Sequence, residues 1–350
     1  MKKMFFLMAA VAAMILSSCA NEVAEDEKEM VTLTIKLSGI AKTRAVEAPA
    51  AANQVVLSNG YIFVMRPFGE IEFYEPLNVA QATGTGQTLT TTVLTDWRVY
   101  IIGNVPSTVT TTVLNGLSTF ADIQALASYI GTQTDYKQVA LANSDGLPAI
   151  IGLPSSGVSS VNVSIKPLIS RLELGNVSAD PSGQDQFTAF AVTGVFLDDY
   201  FPDFTFGGGH SGSIFSQGVS TTFTGVGDIP ATPWVATGTP LSATPAGGDV
   251  WAYNVASGDP TRLIIRLTGV KYNPAGGGAE VDLSANTYYL TVWGYGTTFT
   301  IFERGKVYRT NIIFKDHFNL SVLPNNLWVD LVVQVTVEDW DIVVLPDVDL

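Results

Sequence analysis

Cys19 is the only cysteine in the 350 residues, and it closes the run Leu16-Ser17-Ser18-Cys19. Lys2 and Lys3 open the chain and an apolar stretch from Met4 to Leu16 follows, the layout of a secretory signal. That stretch is shorter than the roughly 20 apolar residues a bilayer crossing needs, so it reads as cleaved rather than spanning. Small residues just ahead of the cysteine match the bacterial lipobox, whose thiol is acylated and becomes the mature N-terminus. Several acyl chains, palmitate among them, on one residue give stable anchoring. Residue 21 is Asn21, not the aspartate associated with inner-membrane retention, so a lipoprotein of the outer membrane is expected.

Little other reactive chemistry is available. With Cys19 used, no thiol remains for a nucleophile, a disulfide or a zinc site, and the two histidines, His210 and His317, stand far apart. Gly209-His210-Ser211-Gly212 falls short of a nucleophile elbow, because Ser213 occupies the position where the motif needs glycine. Asp198, Asp199 and Asp203 lack the spacing of a calcium loop and read as turn carboxylates. No catalytic residue, cofactor or metal ligand is therefore assigned, and the chain reads as a non-enzyme. A formal charge of -14 without a basic patch excludes nucleic acid as a partner. The acidic run Glu25-Asp26-Glu27-Lys28-Glu29 reads as a solvated tether.

The rest of the chain must then be explained by its strands. Hydrophobic residues make up 47%, enough for two cores at this length. Segments rich in Val, Ile, Thr and Tyr, separated by Gly, Pro, Asn and Asp, predict an all-β chain. They are Val55 to Met65, Glu70 to Tyr74, Thr88 to Leu94, Trp97 to Ile102, Val161 to Leu174, Phe187 to Leu197, Val250 to Val255, Thr261 to Lys271, Val281 to Trp293, Lys306 to Phe314 and Trp328 to Glu338. One helix is expected over Ser118 to Ile130, with a Ser cap and apolar residues at 123, 126, 127 and 130. Loops are expected at Gly207 to Gly209, Ile229 to Gly248 and Asn273 to Gly278, and a division near Asp180-Pro181-Ser182-Gly183.

Two amphipathic strands lie near the ends of the sequence. Val31, Leu33, Ile35 and Leu37 alternate with Thr32, Thr34, Lys36 and Ser38, so one face of that strand is built for burial. Ile342, Val344, Pro346, Val348 and Leu350 share one side of a terminal strand, with Asp347 and Asp349 on the other.

The order of these features resembles the fimbrillins, the stalk subunits of type V pili. The resemblance is carried by Cys19, the first strand, the Arg44-Ala45 step, Trp97 to Pro106 with its Asn-x-Pro turn, Gly152, Ile165 to Leu174, Arg304 to Ile312 and Val335 to Trp340. It implies two tandem β-sandwich domains of transthyretin-like type with one short helix in the first. The implied division is a signal peptide over 1–19, a propeptide with the first strand over 20–44, domains over 45–178 and 179–350, and a donor strand over 342–350. It further implies that an arginine-specific surface protease cuts after Arg44, in a linker where Ala45 to Asn53 reads as accessible. The strand carrying Val31, Leu33, Ile35 and Leu37 then leaves, and the strand carrying Ile342, Val344, Pro346, Val348 and Leu350 enters the groove of another copy. The partners so implied are other copies of the chain, accessory fimbrial subunits, the protease and, before processing, the outer membrane. The product is an adhesive cell-surface fimbrium polymerised by strand exchange.

Two other readings use the same residues. A tethered glycan-binding lipoprotein would employ exposed aromatics, with Trp234, Trp251 and Trp293 the candidates. A tip or accessory fimbrial subunit would need no donor strand. The lipid attachment has a direct check: Cys19→Ala is expected to abolish labelling with tritiated palmitate and to move the protein into the aqueous phase on detergent partitioning. Labelling that survives the substitution would refute the lipobox.

Overall fold

The computed structural model describes residues 30–37, 55–92, 96–133, 138–151, 158–216, 227–228, 232–245, 250–258, 261–292, 301–324, 332–339 and 342–343, with the backbone alone at 30, 92, 227–228, 332–339 and 342–343. The chain is mostly β. Its first half contains β1 (Met30–Leu37), β2 (Val55–Val56), β3 (Gly60–Met65), β4 (Ile71–Pro76), β5 (Gln87–Thr92), β6 (Arg98–Gly103), β7 (Ala127–Tyr129), β8 (Leu141–Asn143), β9 (Ala149–Ile150), β10 (Val158–Val163) and β11 (Ile165–Pro167). Two sheets arise from them, a small one in the order β10-β1-β5 and a larger one in the order β11-β8-β6-β3-β4.

The larger sheet is covered on both faces, which is why its central strands are apolar runs rather than alternations. Ile62, Phe63, Val64 and Met65 of β3 and Val99 to Ile102 of β6 are all fully buried. Tyr100 points to one side, where its ring meets Phe120 edge-on at 5.0 Å and its hydroxyl donates to the Phe206 carbonyl oxygen at 2.7 Å. The alternate residues Val99 and Ile101 share the core with Leu33 and Ile35 of β1.

The second half contains β12 (Ser170–Ala179), β13 (Asp185–Asp198), β14 (Asp203–Thr205), β15 (His210–Ser211), β16 (Gly227–Asp228), β17 (Trp234–Val235), β18 (Ser242–Ala243), β19 (Trp251–Val255), β20 (Arg262–Pro274), β21 (Val281–Asp282), β22 (Tyr288–Val292), β23 (Lys306–Phe314), β24 (Val332–Asp339) and β25 (Ile342–Val343). One sheet runs β18-β12-β23-β24 with β19 beside β12, and the other β16-β13-β20-β21 with β17 and β22 beside β13 and β20. A second core lies between them, where Phe190 of β13 meets Phe314 of β23 edge-on at 5.2 Å. The segment 229–248, expected as loop, thus contributes two short strands.

Two stretches far apart in sequence are brought together here. β12 and β23 are parallel, with Arg171 beside Val307 and Glu173 beside Arg309. The buried Glu173 carboxylate accepts from Arg171 Nε at 2.7 Å and Arg309 Nε at 2.9 Å. A carboxylate so deep is tolerable only because both oxygens meet cations.

The halves are locked together. From the second, Phe204 and Phe206 reach into the first core, and β14 pairs with β7. Arg304 Nη2 donates to the carbonyl oxygens of Asn143 and Ser144 at 2.9 and 2.8 Å, and the Gly305 N–H donates to Ile169 O at 2.8 Å. Gly305 has φ +72°, a conformation natural to glycine. Side chains through Ile169 pack in the first core and those from Leu172 in the second, so β12 belongs to the second sheet system, although the expected division falls after its start.

The expected helix is shorter than its periodicity. It spans Phe120–Ala125 and its cap is Thr119, in a reciprocal box with Asp122. Ala127–Tyr129 is drawn into β7 by β14, a long-range pairing that overrides local helical spacing. Two five-residue helices, Val79–Thr83 and Thr111–Asn115, accompany it, capped by Asn78 and Thr110.

Burial pushes the Tyr100 hydroxyl from its ordinary 10 up to about 12. The folded chain keeps it neutral where the unfolded chain ionises it, so the stability involved is complete below pH 10 and is lost as pH rises towards about 12. Tyr100→Phe is expected to lower stability by about 1 to 2 kcal/mol at neutral pH, since the Phe206 carbonyl loses its donor. It should also shrink the alkaline limb of urea midpoints plotted against pH. Burial shifts Tyr272, Tyr289 and Tyr308 in the same direction, so part of the limb persists. An unchanged limb would show that Tyr100 does not hold this interface.

Candidate strand-exchange site

β1 is the middle strand of its sheet. It runs antiparallel to β5, from Met30 beside Thr92 to Ile35 beside Gln87, and parallel to β10, from Thr32 beside Val158 to Leu37 beside Val163. Among the described residues β5 and β10 have no other sheet partner. The alternation seen in the sequence is met by burial: Val31, Leu33, Ile35 and Leu37 are 3%, 0%, 0% and 6% exposed, while Lys36 faces solvent. At about 1.5–3 kcal/mol for each such side chain, the strand contributes on the order of 10 kcal/mol of burial before ordering costs.

The walls of this slot are held by groups outside β1. Gln87, whose position faces Ile35, accepts from the Asn78 N–H at 2.7 Å and donates from Nε2 to Pro76 O at 3.0 Å. That fixes the start of β5 against the helix Val79–Thr83. Gly86, just ahead, has φ +101°, and a Cβ there would lie 2.6 Å from Thr34 Cγ2 and 3.3 Å from Ile35 O. Glycine is thus needed for the turn and for the closeness of the strand. Sequence reading misses both residues; a glycine just ahead of the alternating run is the available signal.

A second strand contact occurs beside β2. β25 runs parallel to it, with Ile342 beside Val55 and Val343 beside Val56. β2 is itself positioned by Asn104, the residue of the Asn-x-Pro turn. Its Nδ2 donates to Val56 O at 2.7 Å and Val139 O at 3.1 Å, and its Oδ1 accepts from the Ser58 N–H at 2.8 Å. Asn104 takes φ +48°, a left-handed conformation that asparagine tolerates.

The structure thus places Val31, Leu33, Ile35 and Leu37 in one buried row and Ile342 against β2. Cys19, Arg44, Ala45, Val344, Pro346, Val348 and Leu350 lie outside the described residues, as does Trp293. Trp234 and Trp251, the other suspected glycan platforms, are buried against each other in the second core with centroids 4.3 Å apart. They offer no exposed stacking face. Two of the three acids considered for calcium are engaged with a cation, Arg262 contacting Asp198 at 2.8 Å and Asp199 at 2.6 Å, while Asp203 begins β14. His210 stacks on Phe201, and His317 Nδ1 meets Asp185 at 2.6 Å, so the two histidines sit in separate environments. Ser211 lies in β15, which closes the hairpin with β14.

No protein-family model matches the chain, and no curated protein matches it either. Solved structures do. A fimbrilin from Porphyromonas gingivalis superposes with a TM-score of 0.53 at 14% identity, covering 89% of this chain and 98% of that one. A candidate cell-adhesion protein from Parabacteroides distasonis gives 0.58 at 12% identity, over 89% and 99% of the two chains. Another, from Bacteroides eggerthii, gives 0.52 at 18%, over 91% and 98%. Over nearly its whole length, the chain has the all-β fold of the fimbrilins and their structural relatives among candidate cell-adhesion proteins.

Proposed function

We propose that this chain is a structural subunit of adhesive cell-surface fimbriae, assembled by strand exchange. The observation that carries the proposal is the place of β1: a strand near the start of the sequence fills the middle of a sheet whose two other strands have no other sheet partner among the described residues. In this reading the precursor is tethered to the outer membrane through lipid on Cys19. An arginine-specific protease cuts between Arg44 and Ala45, and β1 departs. The strand from Ile342 to Leu350 of a second copy then enters between β5 and β10. Its alternate residues Ile342, Val344, Pro346, Val348 and Leu350 supply the apolar side chains, and ladder bonds replace those lost from β1. Repetition joins each copy to the next heterologously, and such contacts grow an open fibre unless the rotation closes a ring. The likeness to a fimbrilin supports this reading. The two buried tryptophans take support from the glycan-binding alternative.

The test uses residues 20–350 as a precursor, cut briefly with an arginine-specific protease and run unboiled in detergent. A ladder of detergent-resistant oligomers is expected from the parent chain. None is expected from Arg44→Ala or from a truncation ending at Asp341. A cleaved product that stays monomeric would remove the mechanism.

A further inference from the structure

The β2–β25 pair points the end of the chain at a cleft. Because β25 is parallel to β2, an extension of that pairing beyond Val343 would run past Leu57 towards Ser58 and Asn59. The pairing edge ends there, since Gly60 to Met65 is already bonded to β4 on one side and β6 on the other. Two joined cavities of about 200 and 370 Å3 open at this point, sharing Ser58, Asn59, Val105 and Pro106. The larger is also walled by Tyr61, Pro76, Leu77 and Val109, and among the described residues no charged side chain lines either.

The segment that would arrive is Val344-Leu345-Pro346-Asp347-Val348-Asp349-Leu350. Seven extended residues span roughly 23 Å. Val344, Pro346, Val348 and Leu350 share one side, while Leu345 and both aspartates are on the other. That pattern suits a cleft with uncharged, partly apolar walls and an open mouth, where the carboxylates stay in water. Asn104 fixes this corner by tying β2, Ser58 and Val139 together, so the cleft stands beside a positioned edge.

We propose that this cleft stores residues 344–350 of the same chain before processing. The proposal rests on the fimbrial reading above and adds a second station for the donor strand: its apolar side is covered in cis until a vacated β1 groove on another copy competes for it. Storage of this kind would hold down premature association of precursors through exposed apolar strands.

The experiment compares deuterium exchange in uncut residues 20–350 with that in a truncation after Val343, both of which retain β1. Loss of 344–350 is expected to speed amide exchange at least tenfold within 57–61 and 105–109 and to leave 30–37 and 87–92 unchanged. In the full precursor, which has no cysteine after residue 19, Pro106→Cys with Val348→Cys should form an intramolecular cross-link with a short bis-maleimide. The yield should be independent of protein concentration and should fall on assembly. Equal exchange in the two proteins together with no intramolecular cross-link would overturn the storage site, as would a change centred on β5 and β10. If assembly needs Arg44 and residues 342–350 while the cleft shows no protection, storage fails and the fimbrial reading stands. If the cleft is protected and assembly needs neither, storage stands and the fimbrial reading fails.

Discussion

Two rows of backbone hydrogen-bonding groups, one on β5 and one on β10, face the same strand, and both are satisfied by β1. Unpaired N–H and C=O groups flanking an apolar slot are costly in water and dangerous in company, because any extended chain can add to them. The source of the filling strand is what sets this sheet apart. β1 is separated from β2 by residues 38–54, so its loss breaks no element of the larger sheet behind it. Ile62, Val64, Val99 and Ile101 belong to the same core as Leu33 and Ile35, and they are held in the pairing of β3 with β4 and β6. The slot's wall at β5 is likewise tied down at Gln87 by Asn78 and Pro76. The groove's supports are thus made by groups outside β1, the condition under which the proposed exchange would refill it rather than collapse it.

In the proposed fibre, load would pass through the body of each subunit, from the groove in the first half to the segment that follows β24. The joint between halves must then be at least as robust as the exchanged strand. Its construction meets that need. Phe204 and Phe206 are fully buried in the first core although they follow β13 of the second, and β14 is zipped to β7. Tyr100 and Arg304 add hydrogen bonds in opposite directions across the joint, one from each half. Further on, the parallel pairing of β12 with β23 and the clamped Glu173 carry the connection into the second sheet.

How much of this can be read from the residues alone depends on how local the cause is. The burial of β1 is legible because period-two alternation over seven positions fits a half-buried strand and conflicts with helical spacing. The strand at Lys306–Phe314 is legible from its own run of β-branched and aromatic residues, and the observed bounds agree with those expected. The excursion carrying Phe204 and Phe206 is not, because two phenylalanines next to a glycine run look like any loop until the other half supplies the pocket. The helix expected over Ser118 to Ile130 runs too long because Leu126 and Ile130 do face a core, but beside a strand and in a 3-10 turn that accompany the pairing with β14. Trp234 and Trp251 belong on the surface only by analogy with binding proteins. Their mutual packing in the second core is a tertiary fact that no spacing in the chain records.

The energetics of β1 also constrain how the proposed exchange would proceed. While the linker is intact, β1 rebinds at the high effective concentration of a tethered segment, of millimolar order. Cutting the linker removes the tether and none of the contacts: the four buried side chains and two ladders remain. A strand contributing on the order of 10 kcal/mol of burial does not leave an empty groove readily, since the vacated slot exposes the same apolar area. The favoured course is therefore displacement from one end. The incoming strand would begin pairing where β1 frays and extend as β1 peels back, so few ladder bonds are unmet at any moment. The terminal segment has five alternate apolar residues against four in β1, and one of its five is Pro346, which has no N–H to give to either ladder. The incoming strand thus gains one side chain and lacks one backbone donor. Its advantage over the cut β1 must come chiefly from being tethered to a folded neighbour, while the cut strand, once released, is diluted into solvent.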